Sequence, residues 1–365
     1  MSRLEDEKWM RMCFALASKG SGYVSPNPLV GAVIVRNGKA VGKGYHRKFG
    51  ASHAEVNAIR DAHARHASLS GATLYVNLEP CSHYGKTPPC VNAIVREGIA
   101  KVVTAMRDPN PLVAGKGFNV LRGAGVKVVN GVLKSEAEKL NEKFVKYVTT
   151  GFPFVALKVA QTSDGFIAKK DGTSKWISSK ESRKIVHRLR SEYDAVVVGR
   201  GTAECDDPKL TVRGIKGRSP FRVLIDGKLR TSLNAAMFND KYRSRTLVFF
   251  GHASIEKVQQ LKAKGVLLSR MKNKNGIIPL TDILSVLAAK GIASLLVEGG
   301  QSIYQQFLKE RLADKIYCFI SPDRFGEGLP AFGGQRPLFR VKRESTRKTG
   351  GDNFIEGLLL YPRAT

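Results

Sequence analysis

The stretch HAEVNAIRDAHARHASLSGATLYVNLEPCSHYGKTPPC, residues 53–90, decides how this chain folds. It opens with His53-Ala54-Glu55 on a helix-like run to Ala67, continues through a β-rich segment at 73–78, and closes with Pro80-Cys81 and Cys90. Helix, strand and new helix in that order form the alternation of a layered α/β domain. The alternation continues on both sides. Residues 8–19 (WMRMCFALASKG) place apolar side chains at helical spacing and end at glycine. SGYVSPNP reads as a loop, and LVGAVIVRNGKAVGKGYH predicts two strands joined at Asn37-Gly38. A helix begins at Cys90, directly after two prolines. Strands at 101–105 and 126–129 and one helix over 134–147 complete a first domain, residues 1–147.

A second α/β domain, 151–365, starts with the strand FPFVALKVA. A basic amphipathic helix over 179–191 follows, then the short β-rich runs AVVVG, FRVLID, RTLVFF and SLLVEGG. Helices at 253–263, 281–289 and 302–310 separate the later runs, and IYCFISP and FIEGLLLYP predict the last strands. Neither half repeats the other, so two different sites are expected.

Composition narrows the setting. At 365 residues with 42% hydrophobic side chains, the chain can build two cores. No run is long and apolar enough to span a bilayer, and MSRLEDEKWM lacks a signal-peptide pattern, so no membrane role is expected. Five cysteines are too few and too scattered for a disulfide framework, and a reducing cytoplasm is expected. The net charge of +29 suits polyanions. It is spread evenly along the chain without a basic arm or a nucleic-acid motif, which argues against nucleic acid as the partner.

The chemistry lies in the quoted stretch. One imidazole and two thiolates, His53, Cys81 and Cys90, form a sound Zn²⁺ set with the fourth tetrahedral position open. Glu55 need not ligate; at a helix start it can relay protons, the division of labour of zinc nucleobase deaminases. Taken singly, each residue has an ordinary alternative: the cysteines as buried small hydrophobes, the histidine as a cap. Their order beside predicted helix starts favours the metal. His63 and His66, in an alanine-rich helical run, are expected to face solvent. In the second half, Leu295-Leu296-Val297-Glu298-Gly299-Gly300-Gln301-Ser302 predicts a buried strand, a two-glycine turn and a helix from Ser302. Free amides there suit a phosphate, although a tight turn with an ordinary cap fits equally well. Gly199-Arg200-Gly201-Thr202 lacks a third glycine at dinucleotide-fingerprint spacing, and Asp206-Asp207-Pro208 reads as a turn.

Asn27-Pro28-Leu29-Val30-Gly31, His53-Ala54-Glu55, Pro80-Cys81-Ser82-His83-Tyr84-Gly85-Lys86-Thr87-Pro88-Pro89-Cys90 and Asp108-Pro109-Asn110-Pro111-x-Val113-x-Gly115-x-Gly117 resemble the deaminase domain of the bifunctional riboflavin-biosynthesis deaminase/reductase family. Cytidine and tRNA-adenosine deaminases share the zinc logic but have a shorter cysteine spacing. The resemblance implies a cytidine-deaminase-like α/β/α domain in which Asn27, His46, His83 and Lys86 bind substrate. An amide suits a pyrimidinone edge and a lysine suits phosphate. Alone, Asn27 could be a turn residue, His46 a surface histidine and Lys86 an exposed lysine.

The second half resembles the reductase domain of the same family through Lys158, Asp164-Gly165, Ser174-x-Trp176-Ile177, Arg190, Gly199 with Thr202, Asp206-Asp207-Pro208-x-Leu210-Thr211-x-Arg213 and Glu298-Gly299-Gly300. This implies a dihydrofolate-reductase-like α/β fold using NADPH. Ala160, Trp176, Thr202, Asp206, Gly299, Gly300, Gln301 and Ser302 would contact the cofactor. Lys158, Ser174, Arg190, Leu210, Arg213 and Glu298 would contact the sugar phosphate. Surface ion pairs, core packing for Trp176 and a turn role for Asp206 are the ordinary alternatives.

The expected function is hydrolytic deamination of 2,5-diamino-6-(5-phosphoribosylamino)pyrimidin-4(3H)-one, then reduction of the ribosyl group of the product to ribityl. A nucleic-acid base deaminase and a non-catalytic zinc-containing binding module are the alternatives. Phosphorylated pyrimidines are the expected ligands, and both a homo-oligomer and a monomer stay open.

Overall fold

The computed structural model describes residues 2–85, 88–172, 177–273, 277–333 and 339–362. The chain divides into two compact units, Met1–Phe152 and Pro153–Thr365.

In the first unit the elements run α1 (Arg3–Ala17), β1 (Gly31–Arg36), β2 (Lys39–Tyr45), α2 (Ala54–Ala64), β3 (Thr73–Leu78), α3 (Cys90–Arg96), β4 (Lys101–Met106), α4 (Lys116–Gly123), β5 (Lys127–Asn130), α5 (Lys134–Leu140) and α6 (Glu142–Thr150). Among the described residues the strands form one sheet in the order β2-β1-β3-β4-β5. β1 is antiparallel to β2 and β3, whereas β3, β4 and β5 are parallel. Asn37 and Gly38 both take positive φ, 50° and 70°, which gives the hairpin a twist compatible with its strands. β3 is buried at every position because helices cover both faces of the sheet.

Two close approaches set the site. A Cβ added at Gly44 would lie 2.3 Å from the Ala54 carbonyl oxygen, and one at Gly42 would lie 2.3 Å from that of Ala58. Side-chain-free backbone on β2 therefore lets α2 lie directly on the strand. The helix expected over 134–147 is two helices. Asn141 breaks it, and its buried amide accepts from Leu29 N–H at 2.8 Å and donates to Leu29 C=O at 3.1 Å. The need to satisfy the Leu29 backbone overrides continuous helix here.

The second unit runs β6 (Phe154–Gln161), β7 (Phe166–Ala168), α7 (Lys180–Glu192), β8 (Ala195–Gly199), α8 (Arg200–Asp206), β9 (Phe221–Ile225), α9 (Ala236–Asn239), β10 (Thr246–Phe250), α10 (Ile255–Ala263), β11 (Leu267–Arg270), α11 (Leu280–Ala289), β12 (Ser294–Gly299), α12 (Gln301–Lys309), β13 (Lys315–Ile320), β14 (Leu329–Pro330), β15 (Arg340–Thr349) and β16 (Asp352–Leu360). Among the described residues its main sheet has the order β11-β10-β9-β8-β12-β6-β13-β16-β15. The strands from β11 to β13 are parallel, and β16 and β15 continue the sheet antiparallel. β12 lies between β8 and β6, so successive connections leave this point in opposite directions. Such a switch opens a crevice at the carboxyl ends of the strands.

Three local expectations change. Asp206 ends α8 rather than opening a turn, and Asp207, at φ 37°, caps it. α12 starts at Gln301, one residue before Ser302. β15 is not among the expected strands because RVKRESTRKT carries no apolar alternation; it is an edge strand whose basic side chains are exposed while Glu344 turns in to pair with Lys315 at 2.8 Å.

Candidate active sites

The first unit holds a cavity of about 320 Å³ walled by Asn27, His46, His53, Glu55, Cys81 and His83. His53 is the residue before α2, Cys81 follows the end of β3 and Cys90 opens α3. These elements bring one ligand atom from each of the three within 4.8 Å of one another. Both sulfurs face the same ring nitrogen: Cys90 Sγ lies 3.3 Å and Cys81 Sγ 3.5 Å from His53 Nδ1. Cys90 N–H donates to Cys81 Sγ at 3.3 Å. The group could hold a metal ion, and one imidazole with two thiolates is a donor set suited to zinc.

Electrostatics distinguish the two thiols. Hydrogen bonding from the Cys90 thiol lowers Cys81 to about 4, against its burial and with help from His53. The same bond and burial push Cys90 upward, so the proton stays on Cys90. His53 is raised by its hydrogen bond to Cys81. Glu55, only 4% exposed, is raised chiefly by burial and then by the negative charge of Cys81. A carboxyl held above its ordinary range can both accept and return a proton near neutrality.

His46 is buried rather than on the surface, and burial holds it below its ordinary value. Its Nδ1 lies 3.2 Å from the Ser52 carbonyl and its Nε2 3.3 Å from Asn27 Nδ2. Only a donating Nδ1 and an accepting Nε2 satisfy both contacts, because a carbonyl cannot donate. The neutral ring thus orients the Asn27 amide. His83 is exposed at the cavity wall, and Lys86 lies outside the described residues. His63 and His66 are exposed; His63 Nε2 pairs with Glu97 at 2.8 Å. The sequence reading assigned no wall role to Glu79, Phe144 and Val148. Phe144 and Val148, four apart on α6, had only their helical spacing to mark them.

The second unit holds a cavity of about 460 Å³ where β6, β8 and β12 end. Its wall includes Lys158, Ala160, Thr202, Asp206, Glu298 and the run Gly299-Gly300-Gln301-Ser302. A Cβ on Gly299 would fall 2.8 Å from both Thr202 Oγ1 and Cγ2, and Gly300 takes φ 95°. α12 begins at this turn without a side-chain cap. Its first amides and the absence of Cβ atoms form a cradle that fits a phosphate group.

Arg190, Leu210 and Arg213 are not on this wall among the described residues. Arg190 instead forks Glu298, Nε to Oε1 at 2.6 Å and Nη2 to Oε2 at 2.8 Å, and donates from Nη1 to Thr211 C=O at 3.1 Å. Burial pushes the Glu298 carboxyl up, but the Arg190 charge and fork hold it below its ordinary range. Burial lowers the Lys158 ammonium, with Glu298 opposing and Arg190 assisting. Leu210 is buried at φ 53° and Arg213 is exposed, donating from Nη1 to Thr211 Oγ1 at 3.0 Å. Ser174 and Trp176 lie outside the described residues. Tyr304, which donates to Lys158 C=O at 2.6 Å, is a wall residue without an expected role.

Comparison with known proteins covers both units. The family model described as the cytidine and deoxycytidylate deaminase zinc-binding region matches residues 3–106, and that described as the RibD C-terminal domain matches residues 153–355. The chain is 47% identical to riboflavin biosynthesis protein RibD of Aquifex aeolicus, over 99% of both chains. It is 36% identical to RibD of Escherichia coli over 96% of this chain and 98% of that one. The crystal structure of a diaminohydroxyphosphoribosylaminopyrimidine deaminase/5-amino-6-(5-phosphoribosylamino)uracil reductase from Thermotoga maritima is 39% identical, with a TM-score of 0.87 over 99% of each chain. Two different cavities in two different units and likeness along the whole length have one explanation: the chain belongs to the RibD family of bifunctional deaminase/reductases of riboflavin biosynthesis.

Proposed function

We propose that the first unit removes the 2-amino group of 2,5-diamino-6-(5-phosphoribosylamino)pyrimidin-4(3H)-one and that the second reduces the ribosyl group of the resulting uracil to ribityl. The observation that carries the first assignment is buried Glu55 on one cavity wall with His53 and Cys81, which group with Cys90. Zinc held by those three residues would supply the Lewis acidity that lets water react at neutral pH. Glu55 takes a proton from the water as its oxygen bonds to C2, and returns that proton to the 2-amino group as the exocyclic C2–N bond breaks and ammonia departs. Asn27, whose Nδ2 donates to His46, has Oδ1 left to accept from the pyrimidine, and His83 and Lys86 would hold the phosphoribosyl end.

In the second unit NADPH, bound with its pyrophosphate over the Gly299–Ser302 turn beside Thr202 and Asp206, would supply a hydride to C1′ of the ribosyl group. Lys158 and Glu298 orient that sugar, and Arg190 keeps Glu298 charged. Arg213, with Ser174 and Leu210, would complete the sugar-phosphate side. Ala160 and Trp176 would contact the cofactor. A cytoplasmic setting agrees with cysteines that are all unpaired.

The test is a coupled assay on zinc-loaded enzyme with the diaminopyrimidine phosphate, with and without NADPH, products followed by mass. Glu55→Gln abolishes ammonia release, keeps its zinc and leaves NADPH oxidation with the deaminated substrate intact. Ammonia release at the wild-type rate from this variant would overturn the role of Glu55.

A further inference from the structure

The segment Asp108–Gly117 stood out in the sequence, yet neither activity explains its two glycines. Its partner is Glu79, a carboxylate 5% exposed at the end of β3. Glu79 Oε2 accepts from Asp108 N–H at 3.1 Å and Gly115 N–H at 2.9 Å. Its Oε1 accepts from Gly117 N–H at 2.9 Å and Phe118 N–H at 3.2 Å. Four backbone donors from one loop thus converge on one side chain. Gly115 caps α4 at φ 81° without a side-chain cap of its own, and Gly117 and Phe118 supply early helix amides. Glu79 therefore caps α4 from another element, with its charge at the positive end of the helix.

Both glycines follow from this contact. Gly115 needs its left-handed backbone to turn its amide to Glu79, and a Cβ at Gly117 would lie 2.1 Å from the Pro80 carbonyl oxygen. The loop is pressed against Glu79-Pro80, immediately before the ligand Cys81. Between the clamped ends, Asp108, Asn110 and Val113 form one wall of the deaminase cavity. Glu79 N–H also donates to Met106 C=O at 3.0 Å, which fastens the entry of the loop to the same point.

We infer that Glu79 is a positioning residue for deamination: by gathering the amides of 108–118 it holds the substrate wall at a fixed distance from the metal ligands. Both of its carboxylate oxygens are taken up by those amides. This inference rests on the deaminase assignment above. A glutamine at this position keeps the shape but turns an NH₂ toward two of the four amides, which then lack acceptors.

The test compares Glu79→Gln and Glu79→Asp with the wild type by steady-state deamination, zinc content and amide hydrogen exchange. In Glu79→Gln, KM for the diaminopyrimidine phosphate rises tenfold or more while kcat stays within about threefold. Zinc stays stoichiometric, and exchange at Gly115, Gly117 and Phe118 accelerates at least tenfold while that of β4 is unchanged. Glu79→Asp retains the charge and lies between. Should the glutamine variant fail to fold, the aspartate variant carries the same KM and exchange measurements. Unchanged KM with accelerated exchange would overturn the positioning role, as would loss of zinc or a fall in kcat alone. Wild-type enzyme that releases no ammonia in the same assay would instead overturn the deaminase assignment itself.

Discussion

Replacing Arg190 by methionine tests a buried, bidentate ion pair of the second unit. The Arg190 side chain is 12% exposed and that of Glu298 5%, and two charge-assisted hydrogen bonds of 2.6 and 2.8 Å join them. Methionine fills similar space but leaves Glu298 buried without its fork. Removing one partner of a buried pair costs about 3–5 kcal/mol. Lys158 remains as a nearby cation, which places the expected loss at the lower end, about 3 kcal/mol. For a unit of this size that is a fall of about 6–12 °C in melting temperature.

The loss depends on pH with a definite sign. In the wild type Glu298 titrates below its unfolded value, so its stabilisation is complete above about pH 4.3 and is lost only as pH falls through the lower folded value. In the variant burial dominates and raises the folded value above about 4.3. Stability is then lost as pH rises through that new value. The gap between the two proteins must widen from pH 4.5 to pH 8. Calorimetry of the full chain at both pH values measures it, with Arg190→Met/Glu298→Met as the second arm. The double variant carries no buried unpaired carboxylate and recovers most of the loss. A gap independent of pH, or a double variant no more stable than the single, would refute the pairing as the source.

Two further outcomes follow from backbone geometry. Gly299→Ala puts a Cβ 2.8 Å from Thr202, so KM for NADPH in uracil reduction rises at least tenfold while ammonia release is unchanged; an unaltered KM would remove the turn from the cofactor site. Asn141→Ala leaves the Leu29 N–H without its acceptor, while the Leu29 carbonyl keeps the Asn77 amide at 2.9 Å, and destabilises the first unit by about 1–3 kcal/mol, read as a lower urea midpoint for loss of the deaminase-unit signal.

The residues that were legible in the sequence share one property: their role depends on neighbours close along the chain. Thr73–Leu78 is a strand with the expected bounds, because a six-residue β-rich run between turns leaves little choice. The hairpin at Asn37-Gly38 is equally local. His53, Cys81 and Cys90 could be grouped because each stands at an element boundary, where side chains from separate elements converge. What was not legible depended on distant partners. Asn141 breaks a helix to satisfy Leu29, 112 residues away. Arg190 has the chemistry of a phosphate ligand, and only the fold shows that Glu298 occupies its fork. β15 has no pattern of its own and is a strand because β16 offers it a free edge. Glu79 resembles any acid before a proline until the loop from 108 to 118 is folded onto it.

The place of β6 in its sheet bears on how the chain is made. It is the first strand of its unit, yet its neighbours are β12 and β13: Phe154 pairs with Ser294 and Ala156 with Lys315. Val155 N–H also donates to Asp314 at 2.8 Å, and Asp314 C=O in turn accepts from Leu359 near the end of β16. On a ribosome, the sheet of the first unit is complete once β5 has emerged. β6 must then wait for about two thirds of the remaining chain before its first neighbour, β12, exists. The second unit is therefore of high contact order and folds late and slowly, exposing an apolar strand in the interval. Translation that stops before Ser294 leaves every strand of the first sheet in place and β6 unpaired. The two activities share one polypeptide, but the reductase carries the greater risk during its synthesis.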